Sequence, residues 1–244
     1  MKNTTSSNPA VNSPPSASVN LLSDIRIFFL NTPREKTLLK LSSFAERQDY
    51  SRRIMQRLGV AVGSYSVLNI HKISVDAPVA FIFQELLQWN GDSTCWPNHL
   101  ARVRRINDRI EDIEILLFGR HIHFMGLCKP LFRLNAIRIQ PVPSPSDYDN
   151  GRYLLFSCSG GYPIGVFAMV VRSSIARENE TGQSQLIMGV GFDFYGLKHS
   201  FPLNPVNAIW EMIHNRVTAN ILNRLKQLCE WRFEKIQRGG NRGC

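Results

Sequence analysis

Cysteine is scarce and widely spaced in this sequence, with five residues among 244 and no Cys-x-x-Cys pair. The odd number and the wide spacing exclude a dense disulfide framework and a zinc ribbon. The first twenty residues lack the apolar core of a secretory signal, and no run approaches the roughly 18 apolar residues of a membrane span. We therefore expect a soluble, reduced protein in the cytoplasm.

Several motifs of cofactor chemistry are also missing. The sequence has no GxGxxG, no P-loop, no HExxH and no EF-hand loop, so we expect no cofactor. His121 and His123 form an HxH pair that could begin a metal site, but no third ligand stands near them, and we expect no metal. The SCSGG segment at 157–161 is not a GxSxG nucleophile motif, so Cys158 is expected to pack in the core.

Acidic residues are outnumbered, 19 against 29 basic ones, which gives a formal net charge of +10. Such an excess suggests a nucleic acid or an anionic membrane as partner. The base is concentrated in two flanks, since 21–60 holds 8 basic and 4 acidic residues and 204–244 holds 7 and 3. The middle, 61–203, holds 13 and 12. Nucleic acid is therefore not expected as a partner of the main domain, and contact of the basic flanks with an anionic membrane surface or with nucleic acid is kept as an alternative.

Composition divides the chain into four parts. Residues 1–20 are polar and of low complexity, which predicts a disordered tail. Residues 21–60 are predicted to form an amino-terminal extension of one or two amphipathic helices, and 65–236 the main domain, before a flexible carboxy terminus at 237–244. The helical prediction for the extension depends on apolar residues that recur among charges: Leu38, Leu39, Leu41, Phe44, Ile54, Met55 and Leu58.

The main domain begins with a β-branched run, YSVLNIHKISV, which predicts a strand. Asp76 and Pro78 then open a predicted helix, and a loop with Trp96-Pro97 follows. Short turn signals separate the next apolar runs, which predicts antiparallel neighbours in a meander. Asn204-Pro205 opens a last amphipathic helix that is predicted to end near Ile236.

This order of elements resembles the START-like, Bet v 1-type helix-grip superfamily, also called SRPBCC or polyketide cyclase-like, over about residues 65–236. The segment ISVDAPVAFIFQELLQWNGDSTCWP is similar to the superfamily's first strand, helix and Trp-Pro loop. The resemblance implies an α+β fold, in which a curved antiparallel sheet wraps around a long carboxy-terminal helix and leaves an apolar cavity. Members bind or transfer lipids, sterols and other hydrophobic molecules, or act on them as cyclases and aromatases.

The apolar residues of the last strand and last helix are the candidate cavity lining, although ordinary core packing would explain each of them equally well. Asn69 and His71 are a polar pair on one face of the first strand, among apolar neighbours. If the protein is an enzyme, His71 or His214 would be the acid or base. The predicted ligand-binding residues are Asn69, Met188, Val190, Phe192, Phe194, Trp210, Ile213, Val217 and Ile221.

Two strands of the meander are apolar on both faces. In GVFAMVV and RYLLF neither set of alternating residues is polar, whereas a sheet with one solvated face should alternate. Something is therefore expected to cover the outer face. The amino-terminal helices of 21–60 are one alternative, and a second subunit in a homodimer is the other.

Overall fold

The structure, a computed structural model, contains three helices and nine strands among the residues it describes. These residues are 26, 32–60, 65, 67–87, 101–105, 112–117, 122–129, 132–141, 151–159, 165–174, 183–192 and 205–240. The helices are α1 (Phe44–Arg57), α2 (Val79–Leu87) and α3 (Pro205–Gly240). The strands are β1 (Val67–Val75), β2 (Ala101–Arg105), β3 (Asp112–Leu117), β4 (Ile122–Phe124), β5 (Leu127–Lys129), β6 (Phe132–Pro141), β7 (Arg152–Ser159), β8 (Val166–Ser173) and β9 (Ser184–Phe192).

Seven strands form one antiparallel sheet in the order β1-β9-β8-β7-β6-β3-β2. Consecutive strands pair from β6 to β9, as the short turns between apolar runs predict, and β1 joins the end of the series beside β9. The remaining two strands, β4 and β5, pair with each other as a separate hairpin. The two edge strands of this sheet are therefore β1 and β2.

The long helix α3 packs on one face of the sheet, against β1 and β9, and also contacts α2. We call this the inner face. Alternate residues of β1, among them Val67, Ile73 and Val75, share a buried cluster there with Ile221 and Leu225 of α3. An antiparallel sheet carrying a long carboxy-terminal helix on one face is the predicted helix-grip architecture, and the α+β prediction is confirmed.

Helix α1 covers the opposite face, which we call the outer face. Met55 of α1 is fully buried in a second cluster with Leu68 and Ile70 of β1, Leu155 of β7 and Ala168 of β8. The two-sided apolar character of β7 and β8 is thereby explained within one chain. Of the two alternatives for the outer face, the amino-terminal extension is the one observed.

Part of the extension, just before α1, is not helical. Residues 35–40 run beside β1 as an extended strap, and Leu38 forms an isolated antiparallel bridge with His71. Helix α1 begins only after Ser43, whose hydroxyl accepts a hydrogen bond from the Glu46 backbone N–H, while the Glu46 carboxylate accepts one from the Ser42 N–H. The helical spacing of Leu38, Leu39 and Leu41 was misleading, because pairing with β1 overrides local preference.

The strap and α1 together close the free edge of β1. The Leu39 N–H donates to the Ile70 carbonyl, and the Lys72 N–H donates to the Thr37 carbonyl. Beyond the strap, the Gln48 side chain donates to the Leu68 carbonyl at 3.0 Å and accepts from the Leu68 N–H at 2.9 Å. Unpaired edge groups invite pairing with other chains, so this closure protects β1 from edge-to-edge association.

Helix α3 has 36 residues and ends at Gly240, beyond the predicted end near Ile236, so 237–240 belong to the helix. None of the helices in the described ranges is long and apolar enough to cross a membrane. Several predictions fall outside the described residues, namely the tail at 1–20, Trp96-Pro97, the cap residue Asn204 and the last residues 241–244.

Candidate functional site

The polar pair predicted on β1 lies on the inner face, beneath α3. Asn69 and His71 are only 2% and 1% exposed, and they alternate with Val67 and Ile73, which belong to the inner cluster. Because strand residues two apart share a face, the whole set points toward the helix. The sequence alone could not decide between the two faces, and the packing of β1 decides it.

A hydrogen-bonded network joins this pair to three other elements. The Arg47 guanidinium of α1 binds the Glu211 carboxylate of α3 at 2.6 Å, and Asn69 Nδ2 donates to the same carboxylate oxygen at 3.2 Å. Asn69 Nδ2 also donates to Asn215 Oδ1 at 2.9 Å, and that oxygen lies 3.1 Å from His71 Nε2. At the far end, the Thr37 hydroxyl of the strap lies 2.9 Å from His71 Nδ1.

The Glu211 carboxylate fixes the direction of every bond in the network. A carboxylate paired with Arg47 only accepts, so Asn69 must present its amide nitrogen to Glu211 and therefore also to Asn215. Asn215 then offers its oxygen to His71, which places the imidazole hydrogen on Nε2. His71 Nδ1 is left as an acceptor for the Thr37 hydroxyl. The ring is neutral and held at both nitrogens.

Both histidines predicted as catalytic have lowered pKa values. Burial lowers the pKa of His71 from 6.5 to about 4; the hydrogen bond with Asn215 acts against this, and the positive charge of Arg47 adds to it. Burial also lowers the pKa of His214, on α3, to about 4, and His71 nearby adds to that lowering. The two imidazoles are thus neighbours that favour the uncharged form.

This environment suits a structural role better than proton transfer. A general acid needs its proton near the working pH, and a group with a pKa of about 4 carries one in roughly one molecule per thousand at pH 7. Both nitrogens of His71 are in addition engaged by protein side chains. The described residues also contain no group of three or more His, Cys, Asp or Glu side chains that could hold a metal ion.

The predicted ligand-binding residues differ in how deeply they are packed. Met188, Val190 and Ile221 are buried in the inner cluster, and Val217 packs against its edge. Ile213 and Val217 are only half-buried. Phe192 and Trp210 lie in β9 and α3, where only their backbone is described, and Phe194 lies outside the described residues.

Cys158, Glu114 and Arg133 belong to strands that take no part in this network. Burial raises the pKa of the Cys158 thiol to about 12, which keeps it protonated and unreactive, as its predicted packing role requires. Glu114 pairs with Arg133 at 2.6 Å, and the strand register puts both on the face opposite to Cys158, that is, on the outer face. Of the HxH pair, His123 lies in β4 and His121 is outside the described residues.

Sequence reasoning missed four members of the network: Thr37, Arg47, Glu211 and Asn215. A signal for two of them was present, because Glu211 and Asn215 stand four residues apart and so share one face of the helix. Their position opposite Asn69 and His71 depends on how α3 packs on β1, which no local pattern specifies. Thr37 and Arg47 belong to the segment whose structure was predicted incorrectly in part.

No protein-family model and no curated protein matches this chain. Solved structures do resemble it at low identity. The Zhui aromatase/cyclase from Streptomyces sp. R1128 is 16% identical, with 68% of this chain and 94% of that chain covered and a TM-score of 0.41. The human StarD13 lipid transfer and protein localization domain is 11% identical, with 66% and 75% covered and a TM-score of 0.41.

A START superfamily protein from Mycobacterium smegmatis is 15% identical, with 66% of this chain and 98% of that chain covered and a TM-score of 0.34. The arrangement of this chain's own elements identifies the architecture. Seven antiparallel strands in the order found here, with one long carboxy-terminal helix across the inner face, give the chain a START-like, Bet v 1-type helix-grip fold.

Proposed function

We propose that this protein binds a hydrophobic small molecule between the inner face of the sheet and the amino-terminal half of α3. The observation that carries the proposal is a change of burial along one apolar stripe of the helix. Ile221 and Leu225 are almost completely buried against the sheet, whereas Val217 and Ile213, one and two turns before Ile221, are half-buried. Apolar residues kept partly accessible beside a core are typical of a binding site.

The inner face opposite this part of the helix is apolar as well. Val190 of β9, Phe167 of β8 and Phe156 of β7 are adjacent across the sheet, and Cys158 packs at their edge. Phe192, Phe194 and Trp210 continue the same stretches of sequence, and we include them in the proposed site. Burial of ligand surface at about 25 cal/mol per Å² would supply most of the affinity.

The polar network supports a ligand site under the amino-terminal half of α3, because it gives that half an attachment at the edge of the sheet. It attaches the amino-terminal half of α3 to β1 at the border of the sheet, through Glu211 and Asn215, while apolar packing attaches the carboxy-terminal half. We therefore assign His71 to holding the helix, and we assign neither His71 nor His214 to a reaction. An enzyme acting on the bound molecule, with His71 or His214 as acid or base, was the alternative from sequence.

The test is to fill the half-buried stripe. In Val217→Trp the larger side chain would occupy the proposed space, so hydrophobic ligands that raise the melting temperature of the wild type should no longer do so. Met212→Trp is the matched control, because Met212 is on the same helix but 59% exposed. Native mass spectrometry of freshly purified protein would identify the bound molecule directly.

Equal stabilisation of both variants by lipid, sterol and aromatic ligands would contradict the proposed location. If none of these ligands binds the wild type in either measurement, the proposed function is wrong. Circular dichroism of the two variants would show whether each retains the fold.

A further inference from the structure

The hairpin β4–β5 presents apolar side chains to solvent at its tip. It is paired only with itself in the described part of the chain, apart from the seven-stranded sheet. Met125 at the turn is 87% exposed, Leu127 beside it is 58% exposed, and Cys128 is exposed too. A Cβ placed on Gly126 would meet no atom within 4 Å, so the tip stands in open space.

The backbone of the turn does not favour a methionine. Met125 has φ 47° and Gly126 has φ 77°, so both central residues are left-handed. Hairpin turns of this kind prefer Asn-Gly or Gly-Gly, and Met125 is the one residue other than glycine with positive φ in the described ranges. A large apolar residue that neither suits the turn nor packs on a neighbour indicates a role outside the fold.

The charged residues in the sequence around the hairpin are all basic. Between Glu114 and Asp147 there is no acidic residue, while Arg120, Lys129, Arg133 and Arg138 are all basic. Arg133 is paired with Glu114, and the other three have no acidic residue close in sequence. The near-neutral middle of the chain therefore conceals a local excess of positive charge at this hairpin. Two histidines, at 121 and 123, add titratable base.

We propose that the hairpin tip docks on the surface of an anionic phospholipid bilayer. Met125 and Leu127 would enter the boundary between head groups and acyl chains, and the basic residues of the surrounding sequence would favour a surface that carries anionic lipid. Exposed apolar residues flanked by base are what such a surface selects, since hydrophobic insertion and attraction to anionic lipid add to each other. This contact lies in the middle of the chain, whereas the excess of base had suggested a membrane contact at the flanks, 21–60 and 204–244.

The experiment is co-sedimentation of the full chain with phosphatidylcholine vesicles, with and without phosphatidylserine. We expect the wild type to bind the vesicles that contain phosphatidylserine and to be released by high salt. The double variant Met125→Asn, Leu127→Ser should bind at least about tenfold more weakly. Met212→Asn, which changes another exposed methionine, 59% exposed and on α3 instead of the hairpin, should bind as the wild type does.

The double variant should melt no lower than the wild type, because asparagine suits the left-handed turn better than methionine does. Loss of vesicle binding is then not a folding defect. The proposal is overturned if the wild type does not bind phosphatidylserine vesicles, or if the double variant binds them equally well. It is also overturned if the variant only dissolves a dimer in analytical ultracentrifugation, because the tip would then be a contact between copies of the chain.

Discussion

His71 shows how one uncharged side chain can take part in a hydrogen-bonded network that links β1, the strap, α3 and α1. Its Nδ1 accepts a hydrogen bond from the Thr37 hydroxyl, and its Nε2 donates one to Asn215. Asn215 accepts in turn from Asn69, which also donates to Glu211. A proton added at Nδ1 would remove the acceptor that Thr37 uses. Protonation of His71 therefore opposes the native arrangement.

The free energy of unfolding is expected to decrease as the pH falls from about 6.5 to about 4. The pKa of His71 is about 4 in the folded protein and 6.5 in the unfolded chain, so the unfolded chain binds more protons in this window. The stabilisation is complete above 6.5 and is lost toward 4. The difference corresponds to about 3 kcal/mol for His71. Urea unfolding at about pH 7.5 and about pH 4.5 would measure it.

His71→Gln is the control for this prediction, because glutamine can accept from Thr37 and donate to Asn215 but does not titrate. Its unfolding free energy should depend less on pH across the same range. His214→Gln should have a similar effect on the pH dependence. The two effects should not add, because His71 contributes to the lowered pKa of His214 and the two titrations are therefore linked. An identical pH dependence in wild type and His71→Gln would refute this explanation.

At the scale of elements, one close contact holds α1 on the outer face. A Cβ at Gly189 of β9 would lie 2.6 Å from Met55 Sδ and 3.2 Å from Ile70 Cδ1, so the helix can approach only because this residue is glycine. Gly189 alternates with the predicted cavity residues Met188 and Val190, so the sequence pattern is consistent with its place on the opposite side of β9. The pattern did not show that a helix lies so close to this glycine.

Gly189→Ala should destabilise the protein by about 1 to 3 kcal/mol, because the added methyl group overpacks the contact with Met55. In a Met55→Ala background the same change should cost much less, since the sulfur atom is gone. Chemical denaturation of the four proteins of this double-mutant cycle would measure the difference. Gly239→Ala, where a Cβ meets nothing within 4 Å, is the matched control and should be nearly neutral. Additive effects at 189 and 55 would be inconsistent with the contact.

The elements that sequence predicted well are those whose signals are local. Helix α2 follows Asp76 and Pro78 as expected, and β1, β8 and β9 coincide with apolar runs of the sequence. The strap was missed because Leu38 and Leu39 pair with β1, a strand that comes later in the chain. No local sequence pattern indicates such a pairing. The start of α1 could have been found from Ser43 and Glu46, which have the spacing of a capping box.

The candidate site was predictable only in part for the same reason. A polar pair at Asn69 and His71 among apolar neighbours is visible in the sequence of β1. The partners that explain it, Glu211 and Asn215, lie more than 140 residues away, and only the docking of α3 brings them close.

At the scale of the whole molecule, the amino-terminal extension is an integral part of the fold. Deletion of residues 1–60 would remove Met55, Gln48 and the strap, and so uncover the outer face and the edge of β1. We expect increased binding of a hydrophobic dye and a tendency to associate through β1. Fluorescence of the dye and sedimentation velocity would measure both effects.

Deletion of residues 1–20 is the control, since it removes only the polar segment of low complexity, leaves the strap and α1 in place, and should change neither measurement. A protein lacking residues 1–60 that folds, stays monomeric and binds no additional dye would show that α1 does not cover the outer face.

The strap also connects the two ends of the chain. The Asn223 side chain of α3 accepts from the Glu35 N–H and donates to the Glu35 carbonyl, each at 3.0 Å, across 188 residues of sequence. Lys226 adds an ion pair with the Glu35 carboxylate at 2.9 Å. During synthesis the strap leaves the ribosome long before its partners exist. The edge of β1 can therefore be sealed against α3 only after α3 itself has been translated, long after the strap and β1 have been made, so this closure is a late step of folding.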